Sequence, residues 1–462
     1  MKPGFWYGAF YICETSQDFE QNKANFFKDA EGNISYQPQW LWAYKAPEDN
    51  RPRLCYLDST HPETERYLRQ LFRDLHALGI RYYMLDFLNA GIPRDELPIY
   101  DKSMVKDIAG YRKCMQAIRQ AATDDTYLLT AVGSGMQNVG LVDSTRIGAD
   151  YGEGRQLMPR FASYPATFVI NGLAGSAGNP NRNAVQNLAA AAHMDGKLFN
   201  INSNLLTIDK PLSRNEALVS LNLFAISGRP VMFGDSLDAM DDERMSMLKK
   251  ILPRVHGAPK AVDLFEKVYP ENEYSRIFQQ KIITPWDAWD VVALFNLEDS
   301  FQTIELDFAK LELEQNTAYR LWEFWDSKYL GIFKNKCAVQ IQPQCAMLLA
   351  IRKLKNHPAL LATDMHCRMG QIDLESVSWN ADNLMLAGIA KRPQGEKGNI
   401  FVAAPYGWKA VDYEDLFVAK DGRDDSLIIR KSIDFEANAS VNWSIKFAEL
   451  SSEERAWKEK GK

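Results

Sequence analysis

The sequence has no Cys-x-x-Cys pair, no His-Glu-x-x-His run, no GxGxxG after a strand-like segment, and no stretch of eighteen apolar residues. Each absence removes a class of function. The six cysteines, at positions 13, 55, 114, 337, 345 and 367, form no even framework, so they read as buried thiols rather than zinc ligands or staples. With only six histidines and none at ligand spacing, no metal site is indicated, and without the glycine fingerprint a dinucleotide cofactor has little support. A membrane-spanning helix needs about twenty apolar residues, so none is expected. No basic block occurs and the formal net charge is −6, which offers nothing to a phosphate backbone or an anionic lipid surface. Neither nucleic acid nor membrane is therefore an expected partner. No basic-then-apolar leader opens the chain, and its compartment and oligomeric state stay open.

What is present is ordinary globular composition, 46% hydrophobic and 25% charged, in 462 residues, which is too long for one domain. Residues 53 to 79, "RLCYLDSTHPETERYLRQLFRDLHALG", show the repeating step. A short β-rich run ends at Asp58, Thr60 is placed to cap a helix with Glu63 three residues on, and Pro62 suits its first turn. Leu68, Leu71, Phe72, Leu75 and Leu78 then share one helical face, and Gly79 stops the helix before the strand "IRYYMLDF". Strand, helix, strand is the unit of a parallel α/β fold.

The step recurs to about residue 257, with candidate strands at 5–10, 53–58, 81–87, 126–133, 144–150, 197–204 and 229–235. Most end on a polar side chain: Asp58, Asp86, Ser134, Asp150, Asn204 and Asp235. A (β/α)8 barrel builds its site from C-terminal strand ends, so this pattern predicts a TIM barrel with a site, whose first strand would lie upstream of Met1. Beyond 257 the helical period gives way to alternating runs such as "VVALFNL", "TIELDF" and "AMLLAIRK", the signature of antiparallel sandwiches. The expected fold class is thus α/β plus all-β, with a barrel over 1–257, a β-sandwich over 258–354 and a further β-rich domain over 355–462.

Asp86 and Asp150 end predicted strands two apart, where barrel geometry allows a separation of about 5–6 Å, the distance at which retaining glycosidases hold a nucleophile and an acid/base. A strand-end Asp equally serves to cap the following helix, and both readings stand on the residues alone. Trp6, Trp40 and Arg146 offer a stacking platform and a hydroxyl clamp, although a lone Trp in a strand also serves as core.

The segments "KPGFWYGAF", "QPQW", "YLDSTHP", "YYMLDFLNAG", "GLVDSTRIGAD" and "SGRPVMFGDSLDAMDDERMSMLKKILP" occur in the order found in melibiase-type α-galactosidases, and "ALFNL" with "LWEFWDSKYLG" resembles that family's sandwich domain. The resemblance covers roughly residues 3 to 353. It implies a retaining α-glycosidase without cofactor, acting on an oligosaccharide or glycoside, with Asp86 as nucleophile and Asp150 as general acid/base. It also implies that Arg146 supports substrate and acid, and that Trp6 and Asp58 line the sugar site together with Asp235 at a strand end.

Three departures bear on specificity. Met84 stands where the family carries a hydroxyl-binding Lys, "INSN" puts Asn202 and Asn204 where acids are expected, and "TAVGSG" replaces a Gly-Cys-Gly run. Each lost charge-assisted hydrogen bond is worth roughly 1.5–3 kcal/mol. The retaining chemistry is thus better supported than galactose as the sugar, and two alternatives follow: an α-glycosidase for another sugar, or a carbohydrate-binding or structural protein that kept the barrel without turnover.

Overall fold

The computed structural model describes residues 2–37, 52–93, 98–131, 135–147, 180–203, 205–210, 212–227, 230–266, 274–411, 416–420 and 425–454. The chain divides into two compact units, Met1–Ile147 with Met194–Asn202, and Gly148–His193 with Ser203–Lys462.

In the first unit five short strands form one parallel sheet: β1 (Gly4–Tyr7), β5 (Tyr82–Leu85), β6 (Tyr127–Thr130), β7 (Ser144–Arg146) and β8 (Asn200–Asn202), in that spatial order. Between β1 and β5 the chain builds a separate antiparallel sheet from β2 (Tyr11–Cys13), β3 (Tyr36–Gln37) and β4 (Leu54–Tyr56). This corrects the expectation that 53–58 is a barrel strand. Gly4 to Tyr7 pair directly with Tyr82 to Leu85, so no slot is left between them, and Cys55 pairs with Ile12 instead.

Helix α1 (Pro62–Ala77) returns the chain to β5 with Pro62 at its first position and Gly79, at φ +90°, closing it. His61, rather than Thr60, is its cap: the ring accepts the Glu63 N–H, while Thr60 is bound to Asp58. Leu68 and Phe72 are buried as their spacing requires, but Leu78 falls past the last turn and is exposed. With α2 (Ala109–Ala122) the helix packs on Tyr83, Leu85 and Leu128, making one face of the parallel sheet the core of this unit.

The second unit contains α3 (Pro180–Ala191), a two-stranded parallel pair β9 (Leu205–Leu206) and β10 (Met232–Phe233), α4 (Arg214–Ser227) and α5 (Asp242–Lys249). The expected strand over 197–204 is thus shorter, and a separate strand follows at 205–206. Helix α4 is apolar on nearly every face and is buried from Ala217 to Ser227, packed against the sheet described next. Antiparallel structure fills the rest, as the alternating runs predict. An eight-stranded sheet joins β11 (Lys260–Ala261), β12 (Ile277–Ile283), β13 (Ala288–Asn296), β14 (Gln302–Asp307), β15 (Ala318–Glu323), β16 (Lys328–Lys334), β17 (Lys336–Ile341) and β18 (Cys345–Lys353) in the order 11-12-13-18-15-16-17-14. Two four-stranded sheets follow, from residues 359–434 and 374–449, around a core that includes Ile400, Val402, Ile429, Trp443 and Ile445. Among the described residues no helix is long and apolar enough to cross a membrane.

Candidate active site

Strand β5 alternates between a core-facing pair, Tyr83 and Leu85, and an outward pair, Tyr82 and Met84. Asp86 continues the Met84 face just past the strand's C-terminal end, its own N–H bonded to the Tyr7 carbonyl at 2.9 Å. It is 8% exposed. Both carboxylate oxygens are engaged. Oδ2 accepts the Trp6 Nε1–H at 3.0 Å and Oδ1 accepts the Phe87 backbone N–H at 2.8 Å. The second bond closes a turn in which Phe87 adopts φ 51°, ψ 35°, a left-handed conformation rare for a bulky residue and of the kind that clusters at functional sites. Phe87 is held there by edge-on contacts with the rings of Trp6 and Tyr11.

Sheet register extends the site sideways. Trp6 pairs with Met84, Met84 with Leu129, Leu129 with Ser144 and Ser144 with Asn200, so these side chains form a row on the face turned away from α1 and α2. Two residues further on, the same face carries Asp86, Ala131, Arg146 and Asn202 at the strands' C-terminal ends, with Arg146 and Asn202 directly paired. The structure therefore brings Trp6, Met84, Asp86, Arg146 and Asn202 onto one face of one sheet. Trp6 is 45% exposed, while Asn202 is fully buried.

Asp58 is placed differently. Its Oδ1 accepts both the N–H and the hydroxyl of Thr60, at 2.8 and 2.7 Å, and its Oδ2 accepts the Tyr100 N–H at 2.8 Å. It ties the turn before α1 to the 98–101 loop from a buried position. Asp235, in the second unit, accepts the N–H groups of Ile208 and Asp209 through Oδ2, at 2.7 and 3.1 Å, and thereby joins the segments following β9 and β10. Asp150, Asn204, Trp40 and Ser134 lie outside the described residues.

Burial pushes the phenols of Tyr82 and Tyr83 up to about 12, so both stay protonated near neutrality. Among the described residues no group of three or more His, Cys, Asp or Glu side chains is gathered as a metal would require. Sequence reasoning cast Trp6 as a stacking platform and missed its hydrogen bond to Asp86, because the partners are eighty residues apart and only strand register joins them. It also missed the left-handed turn at Phe87, for which no residue signal such as Gly or Asn exists.

No family model matches this chain. Its fold is similar to that of a GH27 β-L-arabinopyranosidase from Geobacillus stearothermophilus, at 13% identity over 64% of this chain and 63% of that one, with a TM-score of 0.46. It is similar also to an α-galactosidase from Thermus thermophilus in complex with p-nitrophenyl α-D-galactopyranoside, at 21% identity over 61% and 50% of the two chains and a TM-score of 0.44. An isomalto-dextranase from Arthrobacter globiformis T6 complexed with panose aligns over 96% of this chain and 77% of its own, at 14% identity and a TM-score of 0.48. The chain thus spans less than two thirds of the length of the arabinopyranosidase, 63%.

Proposed function

We propose that this chain is a retaining α-glycosidase of the α-galactosidase type, with a (β/α)8-type barrel carrying the site and antiparallel β domains following it. Asp86 attacks the anomeric carbon while Asp150 gives its proton to the departing glycosidic oxygen, forming a glycosyl-Asp86 ester. Asp150, now a carboxylate, takes a proton from water, which attacks the same carbon, expels the Asp86 carboxylate and restores both groups. Trp6 orients the nucleophile, and Arg146 and Asn202 contact the sugar from the neighbouring strand ends.

The observation that carries this reading is Asp86 itself: a buried carboxylate at the C-terminal end of a parallel strand, on the face away from the helices, with Oδ2 accepting the Trp6 indole N–H and Oδ1 the Phe87 N–H. Met84 beside Trp6, in place of a lysine, favours a sugar other than galactose, or binding without turnover.

The test is release of p-nitrophenol from aryl α-glycosides with galactose, N-acetylgalactosamine, glucose and arabinopyranose heads. Turnover of at least one head, abolished in Asp86→Ala, is expected. Asp150→Asn should lose most rate with poor leaving groups, because activated aryl groups need little protonation. Undiminished activity in Asp86→Ala sinks the nucleophile assignment. A folded protein that binds sugar without cleaving any head supports the binding reading instead.

A further inference from the structure

The segment after α5 is clasped by residues from the far C-terminal part of the second unit. The Cys367 N–H bonds the Lys250 carbonyl at 2.8 Å, the His366 Nε2–H bonds the Pro253 carbonyl at 2.9 Å, and Arg392 Nη1 reaches the Leu252 carbonyl at 3.4 Å. His366 Nδ1 accepts the Arg368 N–H at 3.1 Å, which fixes the neutral Nε2–H tautomer. Burial pushes this imidazole down to about 3, and the charges of Arg368, Arg392 and Arg254 press it in the same direction. Three arginines on the segments that meet here therefore add positive charge near a histidine that is held uncharged.

The carboxylates nearby are already committed. Glu396 pairs with Arg392 at 2.7 Å, Asp287 pairs with Arg352 at 3.0 Å, and the buried Asp373 is bound by the Thr363 hydroxyl and by the Gly370 N–H at 3.0 Å. Arg368 has none of them. It is 2% exposed, its Nη2 is buried without a hydrogen-bond partner, and among the described residues it forms no ion pair. A buried guanidinium without a counter-charge is among the costliest arrangements a fold can hold. Arg254, next to Pro253, is only half-buried as a residue.

We propose that Arg368, with Arg254 and Arg392 beside it, binds a small tetrahedral oxyanion of the phosphate or sulfate kind, which serves as the missing counter-charge of the second unit. The flat fork of N–H donors on a guanidinium matches two oxygens of such an anion, whereas a chloride meets only one donor at a time. The proposal is independent of the glycosidase reading, since none of its residues belongs to that site.

The experiment is thermal unfolding of the full chain in inorganic phosphate, with sodium chloride at matched ionic strength as control. The wild-type midpoint is expected to rise by about 3 °C as phosphate passes from well below to well above its dissociation constant. Arg368→Met should show no phosphate response, and Arg368→Lys a much smaller one. Equilibrium dialysis of the wild type against labelled phosphate, which needs no variant to fold, should retain one anion per chain. A wild-type midpoint indifferent to phosphate, an equal rise in Arg368→Met, or no retained anion would each overturn the proposal.

Discussion

Asp86 and Trp6 act as a pair, and that pairing separates two roles for the tryptophan. As a stacking platform Trp6 would hold the sugar, and its loss would raise KM. As a donor to Asp86 Oδ2 it would orient the proposed nucleophile, and its loss would lower kcat. Trp6→Phe keeps an aromatic face but removes the N–H together with the pyrrole half of the indole. A hydrogen bond to a charged group is worth about 1.5–3 kcal/mol, so kcat is expected to fall roughly 10- to 100-fold with KM little changed. Because Trp6 is half exposed on a strand that ends its sheet among the described residues, the melting curve should stay within a degree or two of wild type. A rise in KM alone would restore the platform role. At this scale the unusual carboxylate was legible, since a strand of large apolar residues ending on Asp is odd in itself. Its partner was not, because a bond between residues 6 and 86 depends on which strands are neighbours.

At the scale of elements, what the sequence made visible was period, and what it hid was pairing. The apolar face of α1, its Pro62 start and its Gly79 stop follow from local chemistry, and so does the change to alternating strands past residue 257. Membership of β4 in an antiparallel sheet did not follow, because "RLCYLD" fits either kind of strand until Tyr11–Cys13 claims its edge. Asp58 shows the same limit: both readings of a strand-end carboxylate were open, and the structure adds three bonds to Thr60 and Tyr100. Buried ion pairs depend still more on pairing. Arg352, on β18, is 5% exposed and bonds Asp287, which sits in the turn between β12 and β13, along with the Leu361 and Met369 carbonyls, while lying over the Trp289 ring. Burial lowers its guanidinium to about 10 even with Asp287 beside it. Asp287→Ala would leave that charge without a partner and is expected to cost about 3–5 kcal/mol. The double variant Asp287→Ala with Arg352→Met should recover much of the loss. Denaturant melts of the single and double variants measure both, and a single-variant loss under 1 kcal/mol would mean that Lys355, the other partner of Asp287, marks a solvated and weak site.

Across the whole molecule the formal charge of −6 hides a few titratable groups whose burial sets how stability depends on pH. Glu323, at the end of β15, is 2% exposed, with Oε1 accepting the Trp325 N–H and Oε2 the Asp326 N–H. Burial outweighs these bonds and pushes it up to about 7. Asp373 is pushed up to about 6 by the same cause, whereas burial takes His366 down to about 3. The signs oppose. A raised carboxylate stabilises the fold below its unfolded value near 4.5 and loses that contribution as pH rises through its folded value; a depressed histidine contributes above about 6.5 and loses its contribution as pH falls. No local sequence pattern announces these groups, since a glutamate in "RLWEFWD" is dry only because α4 and the sheet close over it. Glu323→Gln isolates one of them. Gln cannot accept at both atoms, so the variant carries a constant penalty from one lost bond, but it no longer titrates. Relative to that variant, the wild type should lose on the order of 3 kcal/mol between pH 4 and pH 8. Two compact units make a single global transition unsafe to assume, so the readout is the fluorescence step that exposes Trp322 and Trp325. A difference between wild type and variant that stays constant across this range would mean that Glu323 remains ionised when buried, held by its two backbone N–H donors.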